Sequence, residues 1–149
     1  MTEENKRPMQ DIIDAAREGQ VSVSFNDSVR VNAEEFVYID RDCQAMKDTI
    51  QNLQTIATDI SGREKWGLGE GVPWIITGNT VVQSFRGKAQ NDFNGNNVHA
   101  ILERHYQIVD SIQELHRVIA ERYQQTDSTF AAEYNQAMAS IPQGMQGKK

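Results

Sequence analysis

Residues 36–60 carry an apolar or small side chain at alternating steps of three and four residues. A helix turns once every 3.6 residues, so side chains at these steps share one face, whereas a strand would scatter them over both. The pattern predicts a long amphipathic helix over residues 33–61 with a heptad seam. The seam consists of Phe36, Ile39, Cys43, Met46, Ile50, Leu53, Ala57 and Ile60.

Both ends of this helix carry local signals. Asn32 is a favourable N-cap, and Glu35 stands where the acidic residue of a capping box belongs. Ser61 and Gly62 are typical of a helix end. The glycine-rich residues 62–72 then interrupt the helical pattern.

A second helix is predicted over residues 73–90. Pro73 suits the first helical position, because its fixed φ is preorganised for a helix and its missing N–H would have no partner there. Trp74, Val81 and Phe85 then recur at helical spacing.

A last long helix is predicted over residues 97–138. The Asn- and Gly-rich residues 91–97 indicate a break before it, with Asn96 or Asn97 as the next N-cap, although one helix running through this weak point is the alternative. Its apolar stripe is broad enough to pack against more than one neighbour. The stripe includes Val98, Ile101, Leu102, His105, Ile108, Val109, Ile112, Leu115, Ile119 and Tyr123, and it continues through Phe130, Tyr134 and Met138.

Residues 1–31 are predicted to form a separate N-terminal extension. Met9, Ile12 and Ile13 recur at helical spacing, while residues 21–25 and 29–31 alternate with period two and permit a short β-hairpin. We therefore expect an all-α, elongated antiparallel helical hairpin or bundle over residues 32–141. The Gly- and Gln-rich residues 142–149 are expected to form a disordered tail.

Composition narrows the functional classes. Hydrophobic residues make up 38% of the chain, which suits a narrow helical core or apolar faces meant for a partner. A net charge of −6 argues against nucleic acid and anionic membrane surfaces as partners. Without a Sec-type leader or an 18-residue apolar run, the chain is expected to be cytoplasmic when made, unless an export route reads its folded features.

Candidate chemistry is sparse. The three histidines, His99, His105 and His116, lack the spacing of a helical metal site, because the nearby glutamates fall on other faces. Cys43 is the only cysteine, so it is read either as a small core residue or as a thiol that is reactive or forms an intermolecular bridge. The glycines of residues 67–71 lack a phosphate-loop context. We expect no enzyme activity, metal or cofactor.

Aromatic residues are the more promising features. Trp66 and Trp74 can cover the end of the helical core, or one of them can contact a partner. Tyr123 and Asp127 lie one helical turn apart, and Phe130 and Tyr134 would continue the same face. The positions predicted to pack helices or meet a partner are Phe36, Ile39, Met46, Ile50, Leu53, Ile60, Trp74, Leu102, Val109, Ile112 and Ile119.

The chain resembles the WXG-type helical-hairpin superfamily in four features taken together. These are the seam helix, the turn at Trp66-Gly67, the helical second half and Tyr123-x-x-x-Asp127. That superfamily is associated with type VII (ESX) secretion in actinobacteria. The resemblance covers about residues 32–138, as a divergent member that reads Trp66-Gly67-Leu68-Gly69 where the family motif is Trp-x-Gly.

The resemblance implies a non-enzymatic protein that is exported by a type VII system or dimerises with an exported chain. It makes Tyr123 and Asp127 the export signal, with Phe130 and Tyr134 as its hydrophobic continuation, and makes Trp66 and Gly67 the turn. The implied partners are a second copy or another small helical WXG-type protein, in an antiparallel four-helix dimer, and the ATPase of the secretion machinery. A cytoplasmic adaptor or chaperone-like helical module is the alternative.

Overall fold

Helices form all the regular structure in the part of the chain that the computed structural model describes, residues 6–21 and 31–142. No strand occurs within those two ranges, and the predicted all-α class is confirmed there. The proposed β-hairpin falls mainly on residues 22–30, and most of the proposed tail falls on residues 143–149, both outside the described ranges. The helices are α1 (Gln10–Arg17), α2 (Ala33–Gly62), α3 (Ile76–Ala89), α4 (Val98–Thr126) and α5 (Ser128–Ser140).

Helix α2 confirms the prediction made from the apolar seam. Its Asn32 cap is formed as expected, because the Asn32 side-chain oxygen accepts a hydrogen bond from the Glu34 N–H at 3.0 Å. The helix ends at Gly62, where glycine was predicted to end it.

Helix α3 begins three residues later than predicted. The expectation that Pro73 opens it is wrong, because Ile75 has a non-helical backbone (φ −93°, ψ 75°) and the helix starts at Ile76. The Asn79 side chain holds this turn by donating to the Val72 and Ile75 carbonyls at 3.2 and 3.0 Å. Pro73 therefore belongs to the loop before the helix.

The prediction of a single helix over residues 97–138 is wrong, because the structure divides this segment into α4 and α5. Asp127 separates them with an extended backbone (φ −133°, ψ 108°), and its carboxylate accepts from the N–H groups of Thr129 and Phe130 at 2.9 and 3.1 Å. An aspartate whose side chain caps the next helix adopts a non-helical backbone itself, so α4 ends at Thr126.

The described helices contribute to two compact units. The terminal unit comprises residues 1–47 and 107–149, and the central unit comprises Asp48–Tyr106. In the terminal unit Arg117 pairs with Asp40, and Lys47 pairs with Asp110 at 2.9 Å. The first part of α2 therefore runs antiparallel to the second part of α4.

Three separate apolar clusters hold the terminal unit. One joins α1 to α4, a second joins α2, α4 and α5, and a third joins α2 to α5 and the residue that follows it. Their buried members are Ile13, Ala16 and Val118; Ala33, Ala120 and Phe130; and Val37, Ala137 and Ile141.

The central unit contains the second part of α2, all of α3 and the start of α4. Gln54 donates a hydrogen bond to Glu103 at 3.0 Å, which places α2 beside α4 within this unit. Asn91 donates to the Ser61 hydroxyl at 3.2 Å, so the loop after α3 contacts the end of α2. The buried hydrophobic residues of this unit, within the described part of the chain, are Ile50, Ala57, Val82 and Ala89.

Asn97 gives a direct test of the break before α4. Its side-chain oxygen accepts from the Ala100 N–H at 2.9 Å, so Asn97→Ala is expected to lower the free energy of unfolding by about 1 kcal/mol through loss of the cap. Asn96→Ala, at an exposed neighbouring position, should change it by less than about 0.5 kcal/mol. Urea titration followed by circular dichroism measures both, and equal losses would contradict Asn97 as the cap.

Candidate signal and interaction surfaces

Aromatic side chains from three helices meet around Phe130. Its ring centroid lies 5.7 Å from that of Phe36 in an edge-on arrangement, 5.2 Å from Tyr123 and 6.0 Å from Tyr134. Phe130 is only 3% exposed, whereas both tyrosines are partly buried. We call Phe36, His116, Tyr123, Phe130 and Tyr134 the aromatic cluster.

The arrangement of the predicted signal residues in this cluster differs from the one that the sequence pattern predicted. Tyr123 lies on α4, Asp127 lies between the helices, and Phe130 and Tyr134 lie on α5, so they do not form one continuous helical face. The expectation of such a face is wrong because Asp127 caps α5. The structure nevertheless brings the three aromatic members of the set together, with Asp127 exposed beside them.

His116 has a structural role within the same cluster. Its ring packs on Phe36 at 6.0 Å between centroids, and its Nδ1 donates to the Ile112 carbonyl at 2.8 Å. Within residues 6–21 and 31–142, no group of three or more His, Cys, Asp or Glu side chains is arranged to hold a metal ion. Cys43 is half-buried on α2, and burial raises the pKa of its thiol, which suits a packing role.

The two tryptophans have different environments in the central unit. Trp66 stacks on Phe85 with ring centroids 5.8 Å apart, and its indole N–H donates to the Arg63 carbonyl at 3.1 Å. Trp74, by contrast, is 81% exposed. Trp66 therefore packs within the chain, while Trp74 is the tryptophan available to a partner.

Glu70 organises the loop between α2 and α3, a role that the sequence did not reveal. Its carboxylate accepts from the N–H of Trp66 and from the N–H groups of Gly67 and Leu68 at 3.0 and 2.8 Å. Gly67 has a φ of +75°, a conformation that favours glycine, which supports the predicted turn at this residue. The loop is therefore a defined structure built around one carboxylate.

A second glycine closes this loop against α3. A Cβ atom at Gly78 would collide with the Leu68 carbonyl oxygen, so only glycine permits this approach between loop and helix. Asn79, in the next position, accepts from the Gly71 N–H at 2.9 Å. The one sign of this contact in the sequence was that Gly78 lies on the apolar face of the predicted helix.

The pKa of Glu70 is expected to report the integrity of this loop. The hydrogen bond from the Trp66 N–H, followed by other backbone N–H groups, lowers the pKa of the Glu70 carboxyl from 4.5 to about 2. Because the folded pKa lies below the unfolded one, the stabilisation is complete above pH 4.5 and is lost as the pH falls to about 2. Carboxyl-carbon NMR titration should find a midpoint near 2; an ordinary value of about 4.3 would contradict the loop structure. Glu70→Gln should weaken hydrogen-exchange protection of the Leu68 amide at pH 7.

Most of the exposed large apolar side chains in the described part of the chain lie in the central unit. Leu53, Ile56 and Ile60 follow one another at helical spacing on α2 and are 44%, 53% and 40% exposed. Val98 and Ile101 do the same at the start of α4. We call these five residues the central apolar surface. Other exposed apolar side chains of the unit are Leu68, Trp74, Ile75, Ile76, Phe85 and Phe93.

The predicted helix-packing positions separate into three groups. Ile50 and Val109 are buried, and the others are either partly buried or exposed. The partly buried positions are Phe36, Ile39, Leu102, Ile112 and Ile119, and the exposed ones are Met46, Leu53, Ile60 and Trp74. The exposed group is the one that remains available for contact with a partner.

Comparison with known proteins assigns no family. The chain matches no protein-family model, no curated protein and no solved structure. None of the described helices has both the length and the apolar character needed to cross a membrane.

Proposed function

We propose that this chain is a non-enzymatic helical interaction protein of a type VII secretion system. In this role it is exported, or it pairs with an exported chain, as a helical hairpin that docks against a second helical hairpin. The observation that carries the proposal is the central apolar surface, because it leaves large aliphatic side chains in water on two adjacent helices.

Energetics favour covering this surface. Fully burying an exposed leucine or isoleucine contributes roughly 1.5–3 kcal/mol, so covering the half-exposed residues of this surface would contribute about 1 kcal/mol each. Exposed apolar side chains that recur on one helix face are typical of sites that bind another protein. The proposed partner is therefore an amphipathic helical chain, either a second copy or another small WXG-type protein.

Support for the type VII context comes from the sequence resemblance and from the placement of its signal residues. Tyr123, Phe130 and Tyr134 pack in one cluster, and the Asp127 carboxylate is exposed at the junction of α4 and α5. A folded junction with an exposed carboxylate is a feature that the secretion ATPase could recognise on a folded substrate.

A cytoplasmic adaptor is the second candidate, and one observation favours it. Asp127 caps α5 and Phe130 fills the core, so the stability of the fold is enough to explain why both are present. In that case Tyr123-x-x-x-Asp127 is a structural element without a role in export.

Variants at Asp127 separate the two functions. Asn caps a helix about as well as Asp, so Asp127→Asn should retain the fold while removing the carboxylate, whereas Asp127→Ala removes both. If the carboxylate is read during export, Asp127→Asn should disappear from the culture filtrate of an actinobacterial host with an active type VII system. Its melting temperature should remain that of the wild type.

Two controls accompany this experiment. Tyr123→Phe retains the ring of the aromatic cluster and tests the hydroxyl alone, and a host lacking the secretion ATPase tests the route. Retention of all forms in the cytosol would favour the adaptor. Export of Asp127→Asn at the wild-type level would rule out Asp127 as part of a signal.

A further inference from the structure

Helix α1 packs on α4 through a cluster of its own. Ile13 and Ala16 are 0% and 2% exposed, and they contact Val118 and Leu115 of α4. The other two clusters of the terminal unit contain no residue of α1. Removing α1 from α4 would therefore open this cluster and leave the aromatic cluster closed.

Two ion pairs accompany the apolar contact. Arg7 pairs with Asp110, and Arg17 pairs with Glu114, so the cations lie on the N-terminal segment and the anions on α4. Asp110, Glu114 and Val118 are spaced four residues apart and share one face of α4. We call Asp110, Glu114, Leu115 and Val118 the acceptor stripe.

Helix α1 is too short to be stable without this stripe. It has eight residues, and isolated helices shorter than roughly 12–15 residues are marginal in water. Its helical structure therefore depends on docking against α4.

We propose that the acceptor stripe also binds α1 of a second copy, so that two chains exchange their N-terminal helices. The same apolar and charged groups are buried in both arrangements, so exchange sacrifices no contact. The ten residue steps between Val21 and Val31 can span at most about 36 Å, which permits α1 to reach a neighbouring chain. This exchange does not depend on pairing through the central apolar surface.

Complementation between two defective chains tests the exchange. Val118→Asp places a charge in the stripe and leaves α1 intact, whereas Ile13→Asp disables α1 and leaves the stripe intact. In a ¹⁵N-labelled Val118→Asp chain, amide exchange of residues 12–17 should be fast. Adding excess unlabelled Ile13→Asp chain should slow it at least roughly tenfold, because the free stripe binds the labelled helix.

The matched control is the same labelled chain mixed with unlabelled Val118→Asp chain, which offers no intact stripe and should give no protection. Fast exchange with the Ile13→Asp chain as well, while α2 and α5 stay protected in both variants, would overturn the proposal. If Val118→Asp loses protection in α4 itself, Glu114→Arg replaces it, since this substitution repels Arg17 without entering the apolar cluster. The same two outcomes then decide the question, and protection specific to α1 distinguishes exchange from any other association.

Discussion

Replacing Phe130 by alanine is expected to lower the free energy of unfolding of the terminal unit by about 3–5 kcal/mol. The ring is 3% exposed and contacts Phe36, Tyr123 and Tyr134 from two other helices and its own. Its removal leaves a cavity at the point where α2, α4 and α5 meet, and relaxation of three helices at once would be needed to fill it. Urea-induced unfolding followed by tyrosine fluorescence and circular dichroism measures the change.

A matched phenylalanine provides the control. Phe93 is fully exposed in the loop before α4, so Phe93→Ala should change the free energy of unfolding by less than about 0.5 kcal/mol. Phe130→Leu retains much of the volume and should fall between the two. Similar losses for Phe130→Ala and Phe93→Ala would contradict the packing described for the aromatic cluster.

Replacing Asp110 by alanine is expected to lower the free energy of unfolding by about 3 kcal/mol, because it removes the carboxylate beside a buried cation. The Lys47 side chain is 9% exposed and lies 2.9 Å from Asp110, which also pairs with Arg7. Without this carboxylate, the ammonium group of Lys47 stays buried between α2 and α4 with one charged partner fewer. Thermal and urea unfolding of Asp110→Ala measure the loss.

The reverse deletion should be much milder. Lys47→Met removes the cation but keeps a similar apolar stem, and Asp110 retains Arg7 and is itself partly exposed. We expect a change of less than about 1 kcal/mol, since an apolar side chain can replace a buried ion-pair member at little cost. Equal losses for both variants would show that the pair contributes symmetrically, against this account.

Helix α2 with both of its ends, and the start of α4, were predictable from the sequence because their causes are local. The spacing of apolar residues fixed α2, and Asn32 and Asn97 each cap a helix through one side-chain oxygen. The break over residues 91–97 follows from the same local rules. None of these features needs knowledge of a distant residue.

The buried face of α2 was harder to predict, because two neighbours cover it from different directions. The seam predicts Phe36, yet Val37 is the fully buried residue there, since it packs on Ala137 and Ile141 at the end of α5. Further along, Lys47 is buried while Met46 is exposed. An amphipathic pattern identifies a helix, but the positions of α4 and α5 decide which side of it is covered.

The candidate sites depended on contacts that spacing cannot reveal. Asp127 was predicted to lie on a continuing helix, and only its extended backbone and its hydrogen bonds from the Thr129 and Phe130 N–H groups show that it caps α5. Glu70 acts through backbone N–H groups of a loop whose course the sequence does not specify. Leu53 and Ile60 were predicted either to pack against a helix or to meet a partner, and the sequence could not decide that both would be exposed.

Sedimentation equilibrium of the wild type and of two matched charge variants tests the central claim most directly. Ile56→Glu places a carboxylate on the central apolar surface, and Gln51→Glu places the same charge at an exposed position on another face of α2. If this surface pairs two copies, the wild type and Gln51→Glu should associate with the same Kd. Ile56→Glu should then weaken the association at least roughly tenfold, a change of about 1.4 kcal/mol. Two results would contradict pairing of two copies through this surface. One is association of Ile56→Glu with the wild-type Kd. The other is a wild type that stays monomeric at about 1 mM, since an interaction of only about 4 kcal/mol would be detected at that concentration.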